Sequence, residues 1–309
     1  MSIDRNHLTI SPLLPKKAIV RSSPWRQSIK RLRKNKLAVS GLFILLVTIL
    51  LCLAGPLFAS STANRVTASL INKPPSLAHW LGTDNVGRDV FVRLLQGGRI
   101  SIMVGVLSML STILVGTVIG LLAGFYGGWV DQLITRLADV FLALPGIPIL
   151  IIFGAIFSDL KVPAGLRIYF IILLISLMAW PTLALLIRGQ ILSFKERAFM
   201  LATETLGLRN RRKLYHLVLN VTPTIVVIAT LTVAKAILSE TVLSFLGLGV
   251  IPPTPSWGNM LTSANSLIDF RLRPWLWIPP GAAIFITVLS INFLGEGLRD
   301  ILDPKLKGR

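Results

Sequence analysis

A chain of 309 residues with 53% hydrophobic and only 15% charged residues has too little charge to cover a soluble domain, which averages about 25%. Its mean hydropathy of +0.73 calls for repeated apolar runs, each able to cross a bilayer core about 30 Å thick. The net charge of +19 gathers in segments that flank those runs, as in proteins oriented by positive charge. That placement argues against nucleic-acid binding.

Residues 1–36 form a basic leader carrying Lys16, Lys17, Arg21, Arg26, Lys30, Arg31, Arg33, Lys34 and Lys36. The first apolar run follows, Leu37 to Phe58, and defines a first transmembrane segment over 37–60. Small residues Ala59, Ser60 and Ser61 suit a cleavage site, but the leader is too long and the run too extended for a signal peptide. An uncleaved signal-anchor with a cytoplasmic N-terminus is expected.

Residues 61–99 are mixed and read as an extracytoplasmic segment. Within it, Val90, Phe91, Leu94 and Leu95 fall on helical spacing with Arg88, Arg93 and Arg99 elsewhere. The pattern fits an interfacial helix or a solvated loop helix equally. The second run, Ile100 to Tyr126, holds Gly116, Gly120 and Gly124 on one helix face, a stripe that lets helices approach closely in lipid.

The third run, Val140 to Phe157, is interrupted by Pro145 and Pro148, and the fourth, Ile168 to Ile187, contains Pro181. Prolines are tolerated in spans where neighbouring helices absorb the kink. A polar stretch over 188–221 intervenes before the fifth run, Thr222 to Val250; the sixth is Trp275 to Leu294. The fold class is therefore all-α integral membrane, with about six transmembrane helices. Residues 100–299 form the core, and 300–309 a basic cytoplasmic tail. Six crossings place 127–139, 188–221 and 299–309 inside, and the basic leader, the 188–221 segment and the tail agree with the positive-inside rule. Arg88, Arg93, Arg99, Arg271 and Arg273 run against it.

Candidate chemistry is sparse. The single cysteine, Cys52, has no partner for a disulfide, and His7, His79 and His216 are far apart, so no metal site and no cofactor are expected. No Walker A motif, GxxxxGK[ST], is present, nor a nucleophile–base constellation, so the chain reads as no enzyme. Lys235 and Glu240 lie within the fifth run. An ionisable residue at the bilayer centre costs about 2.5–3.5 kcal/mol, so each should face protein or water. Five residues turn a helix by about 140°, so the two do not share a face. Each is a candidate for the solute path or for a subunit interface. Asp131, Asp139 and Glu296 add too few carboxylates for a proton relay. An ion-coupled secondary carrier, the alternative, should also show inverted repeats. None is evident.

The 188–221 segment contains RAFMLATETLGLRNRRKLYHLVLN. Two amphipathic stretches meet at Gly207, a residue able to end one helix and turn the chain. The result is a basic cytoplasmic helix–turn–helix suited to docking a soluble partner. It resembles the coupling loop of ABC-importer permeases, in which a short helix docks into the ATPase subunit. On that match Ala202, Thr203 and Gly207 take the positions of two alanines and a glycine, and His216 and Asn220 match the later part. Leu201, Thr203 and Leu219 depart from the usual glutamate, alanine and proline. The resemblance makes Glu196, Arg197, Ala202, Thr203, Gly207 and His216 the expected ATPase-coupling residues.

Four further segments, LGTDNVGRDVFVRLLQGGRISIMVG (81–105), GGWVDQLITRLADVFLALPGIP (127–148), ILSETVLSFLGLGVIPPTPSWGNML (237–261) and NFLGEGLRDILDPKLKGR (292–309), are similar to the dipeptide/oligopeptide/nickel permease family, and to its C-type subunit in particular. The resemblance implies an inner-membrane importer built with a homologous B-type permease, two ATP-binding subunits and an extracytoplasmic substrate-binding protein. Di- or oligopeptides, or related small solutes such as nickel chelates or glutathione, are the expected cargo.

Overall fold

The computed structural model describes residues 35–58, 64–198, 200, 205 and 207–302, so Ala202, Thr203 and almost all of the basic leader and tail lie outside the described residues. The helices run in chain order α1 (Lys36–Phe58), α2 (Val90–Tyr126), α3 (Gly128–Ala143), α4 (Gly146–Asp159), α5 (Ala164–Lys195), α6 (Asn210–Phe245), α7 (Trp257–Met260), α8 (Leu267–Leu272) and α9 (Ile278–Leu302). Among the described residues, five helices are long and apolar enough to cross a membrane: α1, α2, α5, α6 and α9. The pair α3 and α4, bent by 80° at its break, makes a sixth crossing if it counts as one span. The break falls where Pro145 precedes α4: proline has no amide hydrogen to bond the preceding turn and its ring collides with that turn's carbonyl.

Helix boundaries differ from those expected from apolar runs. Helix α2 begins at Val90, so the last ten residues assigned to the extracytoplasmic segment are its first turns. Val90, Val92, Arg93 and Leu95 are buried there, so this stretch is neither an interfacial helix nor a solvated one. Likewise 128–139 is helical and starts the broken span rather than forming an inner loop. The second arm of the expected helix–turn–helix is the start of α6 at Asn210, past the turn at Gly207, while before that turn Ala198, Met200 and Thr205 are helical and lie beyond the end of α5 at Lys195. The last span starts at Ile278 rather than Trp275.

Packing fixes the directions of the spans. The stripe Gly116, Gly120 and Gly124 meets Leu183, Ala184 and Ile187, and Ile191 in that order, so α2 and α5 run parallel and in close contact. A Cβ at Gly105 would meet Ile237 and Ser101 bonds Glu240, so α6 runs against α2. Gly41 lies on Ser290 and Phe293, and Gly297 on Ala38, which sets α1 against α9. Asp131 pairs with Arg188 while Ala138 packs on Trp180 and Ala184, so α3 opposes α5. These directions put the start of α1, the Gly127–Gly128 turn, the 196–209 loop and the end of α9 on one face. That is the arrangement an even number of crossings requires.

The opposite face is capped by 64–89 and 246–277. The LGTDNVGRD stretch is a compact turn: Asp84 Oδ1 accepts from the amides of Val86 and Arg88, both at 2.9 Å. Asp84 Oδ2 accepts from Arg88 Nε at 2.7 Å. Asp89 caps α2 by accepting from Val92 N at 3.1 Å and meets His79 Nδ1 at 2.7 Å. Gly87 closes this turn at φ +80°, and a Cβ there would run into the Thr67 carbonyl. Gly87→Ala should therefore cost about 2–4 kcal/mol, combining left-handed strain and overpacking. Gly127→Ala, also at positive φ (φ +67°, ψ −158°) but with nothing near its Cβ position, should carry only the backbone part, about 1–3 kcal/mol. Thermal unfolding of the two purified variants in detergent checks the difference; equal Tm values would refute it.

Candidate functional site: the α5–α6 loop and the α4–α5–α6 cavity

The loop between α5 and α6 is held at its base by contacts to α2 and α3. Arg188 on α5 grips Asp131 on α3 through both guanidinium and carboxylate: Nε bonds Oδ1, and Nη2 donates to Oδ2 at 2.7 Å. Two turns further along α5, Lys195 Nζ donates to the Phe125 carbonyl at 2.6 Å, at the end of α2, and its ammonium lies 5.7 Å from the Phe125 ring centre. The ends of α2 and α5 and the start of α3 are thus tied together at the face that bears the loop.

Beyond Lys195 the chain folds back tightly. Glu196 is exposed and closes α5 as its C-terminal cap. Arg197 is exposed and lays its guanidinium over the Phe194 ring, 4.5 Å from its centre. Met200 N donates to Arg197 O at 2.9 Å, and the Met200 side chain is buried with Leu183, Ile187, Ile191, Leu217 and Val221. Gly207 adopts φ +62° with nothing near its Cβ position. Glycine is used here for backbone conformation, not for space. Arg209, Arg211 and Arg212 are exposed past the turn, and so is His216, whose ring meets Tyr215 edge-on at 5.9 Å. Glu196, Arg197, Gly207 and His216 therefore occupy one segment with a strongly basic exposed surface.

Lys235 and Glu240 part company. Glu240 is fully buried. It accepts from Ser244 Oγ at 2.6 Å and from Ser101 Oγ on α2 at 3.0 Å. Those hydroxyls in turn accept from Val250 N at 2.9 Å and Trp257 N at 3.2 Å. Glu240 thus pins the segment 246–260 to α2 and α6. A place on the path or at a subunit interface, expected from its charge, gives way to an internal network. Only Ser244, four residues on, lies near Glu240 in sequence; Ser101 and Trp257 come from distant parts of the chain.

Lys235 is exposed and lines a cavity of about 260 Å³ between the start of α4, α5 and α6. Gly146, Ile147, Met178, Thr182, Thr232 and Ser239 are among its walls. A larger cavity, about 720 Å³, opens between α1 and α2 beside Gln96 and Arg99 and shares no lining residue with it. Among the described residues no cluster of His, Cys, Asp or Glu has the grouping to hold a metal ion.

The family of binding-protein-dependent transport system inner membrane components matches residues 116–308. The N-terminal transmembrane domain of oligopeptide transport permease C matches residues 23–75. The chain belongs to this family of permeases. The permease is 40% identical over 286 residues to the dipeptide transport system permease protein DppC of Alkalihalophilus pseudofirmus, covering 92% of this chain and 91% of that one. It is 40% identical over 289 residues to the oligopeptide transport system permease protein OppC of Bacillus subtilis, with 92% and 91% covered. With the glutathione transport system permease protein GsiD of Pectobacterium atrosepticum it shares 38% identity over 302 residues, 97% of both chains. The permease is thus a transport subunit of an ABC importer and not an enzyme; an ion-coupled carrier is set aside.

Proposed function

We propose that the permease forms half of the translocation path of an ATP-driven importer for di- or oligopeptides, and that the segment 196–213 docks on a separate ATP-binding subunit. The observation that carries this reading is mechanical. The exposed basic loop is joined directly to a long span on either side, α5 before it and α6 after it, and Arg188–Asp131 and Lys195–Phe125 lock its base to α3 and α2. A displacement of the loop is transmitted to four helices at once. Coupling between ATP and solute needs a contact that differs between two states, and a docked loop provides one.

The remaining parts follow from this role. A homologous B-type permease supplies the other half of the path, two ATP-binding subunits power it, and an extracytoplasmic binding protein delivers the solute. The face bearing the loop is cytoplasmic, together with both termini, as the basic residues of the leader, loop and tail favour. The importer sits in the inner (plasma) membrane. Dipeptide, oligopeptide and glutathione permeases among the relatives support a peptide solute. The test is uptake of labelled dipeptide by proteoliposomes holding the complex purified through a tag on this chain, with its binding protein outside and ATP enclosed. ATP-dependent accumulation is expected; accumulation that follows an ion gradient and ignores ATP would refute the reading.

A further inference from the structure

Lys235 occupies an awkward position for a cation. On α6 it lies about 20 Å beyond Thr222 and about 15 Å before Phe245, at 1.5 Å per residue. That places it well within the hydrocarbon thickness of the bilayer. A lysine at such depth is costly unless it meets water or an anion. No carboxylate of the described residues answers it. Asp84 and Asp89 pair with Arg88 and His79 on the outer face, Asp131 with Arg188 and Asp269 with Arg273. Glu240, closest in sequence, is turned into its serine network.

What Lys235 faces is the cavity of about 260 Å³, with the exposed hydroxyl of Thr182 and that of Ser239 on the same walls. A lysine that shares a cavity lining with Thr182 and Ser239 and with Ile147, Leu150, Ile175 and Met178 suits a small carboxylate carried on an apolar or neutral body. The volume is just under the range of about 300–1,000 Å³ of pockets that enclose a whole ligand, so it accommodates one end of a peptide rather than its full length. We propose that Lys235 receives the C-terminal carboxylate of the peptide as it crosses the membrane, making it a specificity-determining residue of the path. The proposal rests on the peptide-importer reading above. It assigns to that path the class of group it reads: a free carboxylate, not a side chain.

The experiment compares two solutes in the reconstituted complex: the dipeptide Ala-Ala and its C-terminal amide, with wild type, Lys235→Met and Lys235→Arg. The binding protein's own preference enters wild type and variants alike and cancels when each variant rate is divided by the wild-type rate for the same solute. For Ala-Ala, Lys235→Met should lower uptake by about tenfold or more, the scale of one lost charge-assisted contact. For the amide it should change uptake by less than about twofold, and Lys235→Arg should recover most of the Ala-Ala rate because it keeps the charge. Equal losses for both solutes would make Lys235 a packing or interface residue and overturn the proposal; no loss for either would also overturn it. Wild-type complex that takes up neither solute would instead remove the peptide reading itself, a failure visible before any variant is measured.

Discussion

Glu240→Ala is expected to destabilise the permease by about 3 kcal/mol, combining unpaired buried hydroxyls with the cavity left by the side chain. The size follows from what the carboxylate holds. Ser101 and Ser244 each donate to Glu240 and each accept a backbone amide of the outer segment, Trp257 and Val250 respectively. Removing the carboxylate leaves two buried donors without an acceptor and frees both serines to rotate away from those amides. The segment they hold carries Asn259, whose side chain bonds the carbonyls of Val250 and Thr254 at 3.1 and 2.8 Å, and Trp257, which donates to Leu94 O at 2.9 Å. The outer cap should loosen as a unit. Glu240→Gln keeps one carbonyl acceptor and most of the volume, so its cost should be less than half as large. The checks are Tm in detergent and protease cleavage within 246–260. A Glu240→Ala protein with wild-type Tm and an uncleaved outer segment would show that the network carries no weight.

The second large effect is on coupling. Gly207→Asp should reduce ATP-driven uptake by about tenfold or more while the protein inserts and folds normally. Coupling free energies of about 1–3 kcal/mol correspond to about 5–150-fold. The fold is spared for two reasons on the molecule itself. Gly207 has no neighbour where a Cβ would sit, and aspartate tolerates the left-handed backbone better than most residues. The substitution thus acts outward, placing a carboxylate on a surface where Arg209, Arg211 and Arg212 are exposed. Gly207→Asn tolerates the same backbone without the charge and should fall between wild type and Gly207→Asp. Wild-type uptake by Gly207→Asp would remove the loop from the coupling mechanism. Ala202, outside the described residues, is expected to respond in the same way to a bulky charged side chain.

What the sequence made legible was whatever local pattern decides. Apolar runs mark spans because hydrocarbon demands them, and a glycine every fourth residue marks the face of α2 that meets α5. Gly207 as a turn was readable for the same reason: few residues accept that backbone. Helix ends were not readable from hydropathy. The apolar signal stops at a charged residue, but the backbone ladder does not, so α2 extends outward to Val90 and α5 inward to Lys195. A bend at Pro145 was foreseeable, its 80° was not, since the angle is set by packing against α5 and α6. Most hidden were pairings between remote residues. Asp131 and Arg188 are 57 positions apart and Ser101 and Glu240 139 apart. A charge within a span announces only that it must be satisfied, not by whom. Hence Lys235 and Glu240 looked alike in sequence, although one lines a cavity and the other is sealed within the helices.

The central claim, that this permease is driven by ATP-binding partners through its inner loop, is tested most directly by tagging the chain and purifying it in mild detergent from its native membrane. Mass spectrometry then identifies what accompanies it. Recovery of a second permease and ATP-binding subunits with the wild-type chain, and loss of the ATP-binding subunits with Gly207→Asp, is the expected result. Recovery of the chain alone, with solute uptake persisting after the candidate ATP-binding subunits are deleted, would contradict it.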